Sequence, residues 1–173
     1  MEAGAKRGVT SGVEFIDFDA WYTNVRPKLV SSIAATGTTI KTAEDAVDEA
    51  LVKAFERWDE VSVMANPDGW AYVVARNRLR TVQRREAVAN RFRRFRHDEE
   101  ALPDGMSEFQ MLLAPLPLEQ RHVLVMRHVF GMTEPEIATA LGMTRGAVSS
   151  RLRRSHSALR STLPALVALW GLR

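Results

Sequence analysis

The sequence predicts an all-α protein: two small helical domains joined by a flexible linker, with a helix-turn-helix module in the C-terminal one. Three observations predict it. Apolar residues recur at spacings of three and four through most of the chain, and no sustained period-two alternation competes with them. Pro103 and Gly105 interrupt the pattern where the charge changes sign, which divides the chain near there. Residues 131–154, GMTEPEIATALGMTRGAVSSRLRR, spell two helices around a tight turn.

That last stretch organises the rest. Thr133 is placed to cap a helix, with Glu136 three residues on in capping-box spacing and Pro135 in the tolerated first turn. Ile137, Ala138 and Leu141 form one apolar face, and Gly142 is a left-handed stop. Thr144 caps the next helix, along which Val148, Leu152 and Leu159 recur at helical spacing. Arg145, Ser149, Ser150, Arg153 and Arg154 lie opposite. No acid follows Glu136, so a polyanion is the natural partner of this surface.

Bulk composition narrows the class. A length of 173 residues allows one ordinary domain or two small ones, and 46% hydrophobic residues fit a globular chain. The net charge is only +3, but acids cluster at 44–60 and arginines at 76–96 and 145–160. Without cysteines there are no disulfides and no cysteine zinc site, which suits a reducing cytosol. No signal peptide or membrane-length apolar run is legible, so the expected location is cytoplasmic.

In chain order, residues 1–12 are Gly- and Ala-rich and expected to be disordered. The first domain spans 13–88. Phe15, Phe18, Tyr22, Val25, Leu29 and Ile33 can share a helix face, and Pro27 should kink or split that helix. Thr42 or Lys41 opens the second helix, with Val47, Leu51, Ala54, Phe55 and Trp58 as its buried stripe. Its other side carries Glu44, Asp45, Asp48, Glu49, Glu56, Asp59 and Glu60. This is a solvated acidic face or a docking surface for a basic partner, and the helix alone does not decide.

A loop over 61–67 leads into a helix over 68–86, with Trp70, Val73, Val74 and Asn77 near one face. Nine arginines fall between 76 and 96 against one acid, Glu86, which points to phosphate. Trp70 and Tyr72 are core residues or stacking platforms for unpaired bases; Trp70 leans to core and Tyr72 is even. The linker is 89–106. Ser107 caps a short helix ending before Pro115. A helix over 118–129 follows, with Leu118, Val123, Leu124, Met126 and Val129 apolar and His122 and His128 at its surface or boundary. The C-terminal module is 107–163. The apolar tail 164–173 packs back on it or binds a partner.

No Gly-rich phosphate loop, GxSxG, HExxH or Asp-rich metal loop occurs, and His97 has no second ligand at a fitting spacing. An enzyme reading has no residues to stand on, and no cofactor is expected.

Two separate stretches carry a family resemblance. LPLEQRHVLVMRHVFGMTEPEIATALGMTRGAVSSRLRRSHSALR resembles the C-terminal promoter-reading module, region 4, of bacterial sigma factors. The matching pieces are Leu116-Pro117, Gln120-Arg121, Val123-Leu124, Gly131-Met132-Thr133, Glu136-Ile137-Ala138, Leu141-Gly142, and Val148 with Ser150-Arg151-Leu152. TAEDAVDEALVKAFERW resembles the family's helix that binds the polymerase clamp, and PDGWAYVVARNRLRTVQRR the part that melts and holds the minus-10 element. Order and spacing resemble the small extracytoplasmic-function group of the sigma-70 family. Asp48 stands where the family usually has Gln, Thr81 where many members have Asp, and Ser149 where a basic residue is frequent.

The resemblance implies a subunit that binds core RNA polymerase and directs initiation at promoters, with an anti-sigma protein as a candidate regulator. It implies polymerase contacts at Asp45, Asp48, Glu49, Lys53 and Glu56. The minus-35 duplex falls to Thr144, Arg145, Ser149, Ser150, Arg151, Arg153 and Arg154. Ser149, Ser150, Arg153 and Arg154 are the base readers there, and Arg145 and Arg151 hold phosphate. The melted minus-10 strand falls to Asn66, Asp68, Arg76, Asn77, Arg80, Arg84 and Arg85. The rivals are an autonomous helix-turn-helix regulator, which would need a self-complementary apolar surface, and an interaction module whose arginines are merely solvated.

Overall fold

A computed structural model describes residues 17–91 and 108–170, with side chains through 85 in the first segment and through 161 in the second. The expectations for residues 1–16, for most of the linker and for Ser107 lie outside the described residues. The described residues form eight α-helices and one π-helical turn: α1 (Phe18–Ala34), α2 (Ile40–Glu56), α3 (Trp58–Val61), α4 (Pro67–Arg91), α5 (Glu108–Leu113), α6 (Leu118–Leu124), the π turn (Val125–Val129), α7 (Glu134–Leu141) and α8 (Arg145–Trp170).

In the first half, α2 packs against both α1 and α4. Asp17 caps α1 by accepting from the Ala20 N–H. The helix runs through Pro27 unbroken rather than splitting there. An interior proline costs about 3 kcal/mol. Val25, Leu29 and Ile33 flank it and are fully buried, each contributing about 1.5–3 kcal/mol by burial, so packing wins. The core aromatic of this helix is Trp21, not Tyr22, which is exposed.

Thr39 opens α2, one turn before the expected start, and its hydroxyl accepts from the Thr42 N–H. Ala43, Ala46, Val47, Ala50, Leu51 and Ala54 are buried. Phe55, expected in that stripe, is 65% exposed and meets only the edge of the Phe18 ring, 5.0 Å between centroids. The small alanines let α2 approach its neighbours closely, so the stripe is narrower than the hydrophobic residues alone suggest.

Asn66 caps α4: its Oδ1 accepts from the Gly69 N–H at 2.8 Å, with Pro67 in the first helical position. The buried face of α4 carries Ala71, Tyr72, Ala75, Arg76 and Leu79, while Asn77 points outward.

In the second half, α5, α6 and α7 pack on α8. The helix expected over 118–129 changes pitch midway. From Val125 it widens into a π turn, where the Phe130 N–H reaches back five residues to the Val125 carbonyl. Leu118, expected apolar and inward, is exposed. The helix-turn-helix forms as its sequence spells it. Thr133 and Glu136 close a reciprocal capping box, Gly142 turns the chain at φ 64°, and the Thr144 hydroxyl accepts from the Ala147 N–H. Helix α8 continues through Pro164 to Trp170, so most of the expected separate tail is a continuation of that helix.

The two halves share one continuous core. The Tyr72 ring stacks on Phe130 at 4.7 Å between centroids, and its hydroxyl lies 2.9 Å from His122 Nδ1. The Asn66 amide donates to the Phe130 carbonyl at 2.7 Å, and Lys28 Nζ sits 4.9 Å from the centre of the same ring. Gly37 sits at φ 97°, a left-handed conformation that favours glycine, with Arg121 Nη1 3.2 Å from where a Cβ would lie.

Candidate functional site

Three surfaces gather the residues singled out by the sequence. The first is the outer face of α2. Asp45, Asp48, Glu49, Lys53 and Glu56 are all exposed and line one open cleft of about 720 Å³, with Val52 and Leu79 as apolar floor. Their spacing places them on one side of the helix. Two of the acids already hold arginines of neighbouring helices: Asp48 pairs with Arg26 at 2.8 Å and Glu49 with Arg78 at 2.7 Å. These partly exposed pairs are individually weak, so a denser basic partner can exchange them.

The second surface is the N-terminal half of α8. Thr144, Arg145, Ser149, Arg153 and Arg154 are exposed and Ser150 is half-buried. Val148 and Leu152 hold the opposite side in the core, which fixes the outward direction of the hydroxyls and guanidiniums. Arg145 lies 3.6 Å from Glu134 at the start of α7. Arg151 is held differently: Nη1 meets Glu119 at 3.2 Å and contacts the Met143 sulfur, so it ties α8 to α6.

The third set, around the start of α4, is brought together but is already engaged. Asp68 accepts from Trp21 Nε1 at 2.8 Å and from Lys28 Nζ at 3.0 Å, bolting α1 to α4. Both ends of the Asn66 amide are used, one in the helix cap and one on Phe130. Arg76, expected on a DNA face, is buried, with its Nε unpartnered among protein atoms. Desolvation pulls its pKa below the usual arginine value, opposed by Glu119 and Tyr72. Asn77, Arg80, Arg84 and Arg85 remain exposed farther along α4.

Of the residues that close this third surface, the sequence singles out Tyr72 as core or stacking platform, and the core reading holds; it does not place His122 and Phe130 here. Tyr72, one of two readings of which was a base-stacking platform, is completely buried. His122, read as surface or boundary, is buried against it. Burial, with Arg76 and Arg121 nearby, pushes His122 down to about 3, so the imidazole stays neutral at ordinary pH. Burial also raises the Tyr72 phenol. A neutral imidazole and an intact phenol can share the one hydrogen bond between them. Phe130, beside the helix-turn-helix, gave no sequence signal beyond being apolar.

Among the described residues, no group of three or more His, Asp or Glu could hold a metal ion. No described helix is long and apolar enough to cross a membrane.

The comparisons with known proteins agree with this geometry. The family described as sigma-70, region 4, matches residues 106–159, the span of the helix-turn-helix half. The ECF RNA polymerase sigma factor SigL of Mycobacterium tuberculosis is 33% identical over 141 residues, covering 72% of this chain and 76% of that protein. The RNA polymerase sigma-E factor of Streptomyces avermitilis is 28% identical over 167 residues, covering 87% of each. Among solved structures, the sigma factor RpoE of Bartonella quintana, crystallised with the anti-sigma factor NepR, superposes with a TM-score of 0.67 at 21% identity, over 86% of this chain and 97% of that one. That likeness extends the shared fold across both halves. A chain with an acidic outward α2, an arginine-lined α4 and a basic helix-turn-helix, one-third identical to a sigma factor over most of its length, belongs to the extracytoplasmic-function group of bacterial RNA polymerase sigma factors.

Proposed function

We propose that this sigma factor, with no catalytic activity of its own, works in the cytoplasm by docking α2 on a basic surface of core RNA polymerase and reading promoter DNA through α8 and α4. The observation that carries the reading is the separation of charge. Four carboxylates stand exposed on α2, while the whole chain beyond Glu136 lacks an acid and turns Arg145, Arg153 and Arg154 outward. One face suits a basic protein and the other a polyanion.

In this reading Ser149, Ser150, Arg153 and Arg154 meet base edges of the minus-35 duplex, and Thr144 and Arg145 hold its phosphates. Arg151 then orients α8 through Glu119 more than it holds phosphate. Asn77, Arg80, Arg84 and Arg85 follow the melted minus-10 strand, whose flipped base needs a pocket near Asn66. Because Phe130 occupies the Asn66 amide, capture of that strand requires the halves to separate. An anti-sigma protein is a fitting regulator. The groove of about 550 Å³ between the halves, with Trp70, Val73, Met132 and Pro135 in its walls, suits an apolar segment of one.

Run-off transcription by bacterial core polymerase from the chain's own upstream region tests this. A discrete start that needs the protein, and that disappears when Asp45, Glu49 and Glu56 are replaced by lysine, is the expected result. A start that survives the reversal would remove α2 as the docking surface. Tight duplex binding with no polymerase-dependent start would return the autonomous regulator.

A further inference from the structure

Beyond the predicted base-reading residues, α8 and the π turn enclose a second feature. His128, on the turn, and His156, on α8, bring their Nε2 atoms to 2.9 Å. They sit in a cleft of about 640 Å³ that opens beside Ser149 and Arg153. The charged groups facing the pair are Arg127 from the turn, Arg153 and Arg160 from α8, and Glu134 from the start of α7. Glu134 already faces Arg145 at 3.6 Å, and Arg127 donates to the Met132 carbonyl at 3.1 Å. The cleft therefore gathers three guanidiniums and two imidazoles around one partly neutralised acid. That field repels a metal cation and attracts an anion.

We infer that this cleft takes one backbone phosphate of the promoter duplex, and that the His128–His156 pair takes up a proton as it does so. The inference rests on the reading of α8 as the duplex-facing helix. The chemistry follows from the geometry. Two nitrogens 2.9 Å apart hold each other only if one of them carries a hydrogen, so in the neutral pair one ring donates and the other accepts. A first proton turns the donor ring into a cation and keeps the bond. A second would set two N–H groups against each other and open the pair. In the free protein the surroundings disfavour the charged form of His128: desolvation lowers its pKa, and His156 and Arg127 lower it further. A phosphodiester in the cleft reverses the sign of the local field, so the pair becomes more basic when DNA arrives. Affinity then rises as pH falls, because the bound state holds the extra proton.

The test is duplex binding by the full chain, using its own upstream promoter region at low salt, at pH 7.5 and pH 6.0. The native chain should tighten by roughly threefold to tenfold over that interval, and calorimetry in two buffers of different ionisation enthalpy should show uptake approaching one proton. His128→Gln with His156→Gln should remove both the pH dependence and the uptake. The same pH slope in that variant overturns the cradle. Equal proton uptake with inorganic phosphate alone, unaffected by added duplex, would make the site one for free phosphate and overturn the assignment to DNA. Arg153→Ala with Arg154→Ala separates the two readings. If duplex binding is unaffected, or absent from the start, the duplex-facing reading of α8 falls and the cradle with it. If binding weakens while the histidine variant keeps its pH slope, the cradle alone falls.

Discussion

The two surfaces proposed to meet DNA in this sigma factor differ in readiness. Helix α8 presents Ser149, Arg153 and Arg154 to solvent, with no described element over them. The start of α4 has its polar groups committed: Asn66 to Phe130, Asp68 to Trp21 and Lys28, and Arg76 to the interior. In the proposed reading the difference matches what each surface would recognise. Duplex DNA exists before any polymerase arrives, and a permanently exposed helix can meet it. A melted strand exists only during opening, and a reader of single strands left uncovered would bind any unpaired nucleic acid. Engaging the start of α4, while Asn77, Arg80, Arg84 and Arg85 stay exposed, would link the two events through one residue, Phe130.

The comparison can be broken at several points. Phe130→Ala should have the largest effect. It removes the ring that Tyr72 stacks on and Lys28 caps, so stability should fall by about 3–5 kcal/mol in denaturant unfolding. Single-strand binding by the surviving folded protein should increase; a variant that loses stability without gaining it would show that the ring covers nothing used for DNA. Arg153→Ala with Arg154→Ala should weaken duplex binding by roughly tenfold to a hundredfold and relax its sequence preference. The same pair should leave the unfolding free energy within about 0.5 kcal/mol, since both side chains are exposed.

Tyr72→Phe keeps the ring and removes the hydroxyl beside His122, at a cost of about 1–2 kcal/mol. The same site sets a pH dependence. His122 binds its proton far more weakly when folded, at about 3, than an unfolded histidine near 6.5. Between those values the unfolded or opened state holds more protons, so stability is full above about pH 6.5 and declines as pH falls toward 3. The slope from this group should not exceed about 1.4 kcal/mol per pH unit, and His122→Gln should flatten it. An unchanged profile in that variant would place the acid sensitivity elsewhere. The smallest effect should come from Thr133→Ala, which opens the capping box of α7 for about 1 kcal/mol and leaves single-strand binding unaltered.

What was legible in the sequence divides along the same line. The open surface could be read because its determinants are local. The Thr133–Glu136 box, the left-handed Gly142 and the Thr144 cap each act within a few residues, and α8 has one apolar side and one basic side. The covered surface could not, because its contacts are long-range. Tyr72 and His122 stand fifty positions apart, and Asn66 and Phe130 sixty-four. Helical periodicity says that a tyrosine lies on a face but not what meets it. The π turn was hidden for a related reason: the spacing of apolar residues over 118–129 fits a continuous α-helix, and the wider turn shows in backbone bonds such as that from Phe130 to Val125. At Pro27 the local rule left a kink or a split open, and burial on both sides keeps the helix in one piece.

The proposal that the two halves stay closed on each other in the free chain, and separate for strand capture on polymerase, can be measured as a distance. The sequence contains no cysteine, so spin labels at Asp59→Cys and Ser161→Cys, both exposed positions, report on the two halves without background. Pulsed dipolar spectroscopy should give one narrow distance distribution in the free protein and a longer distance after core RNA polymerase is added. A broad distribution in the free protein, or the same narrow one on polymerase, would contradict the account.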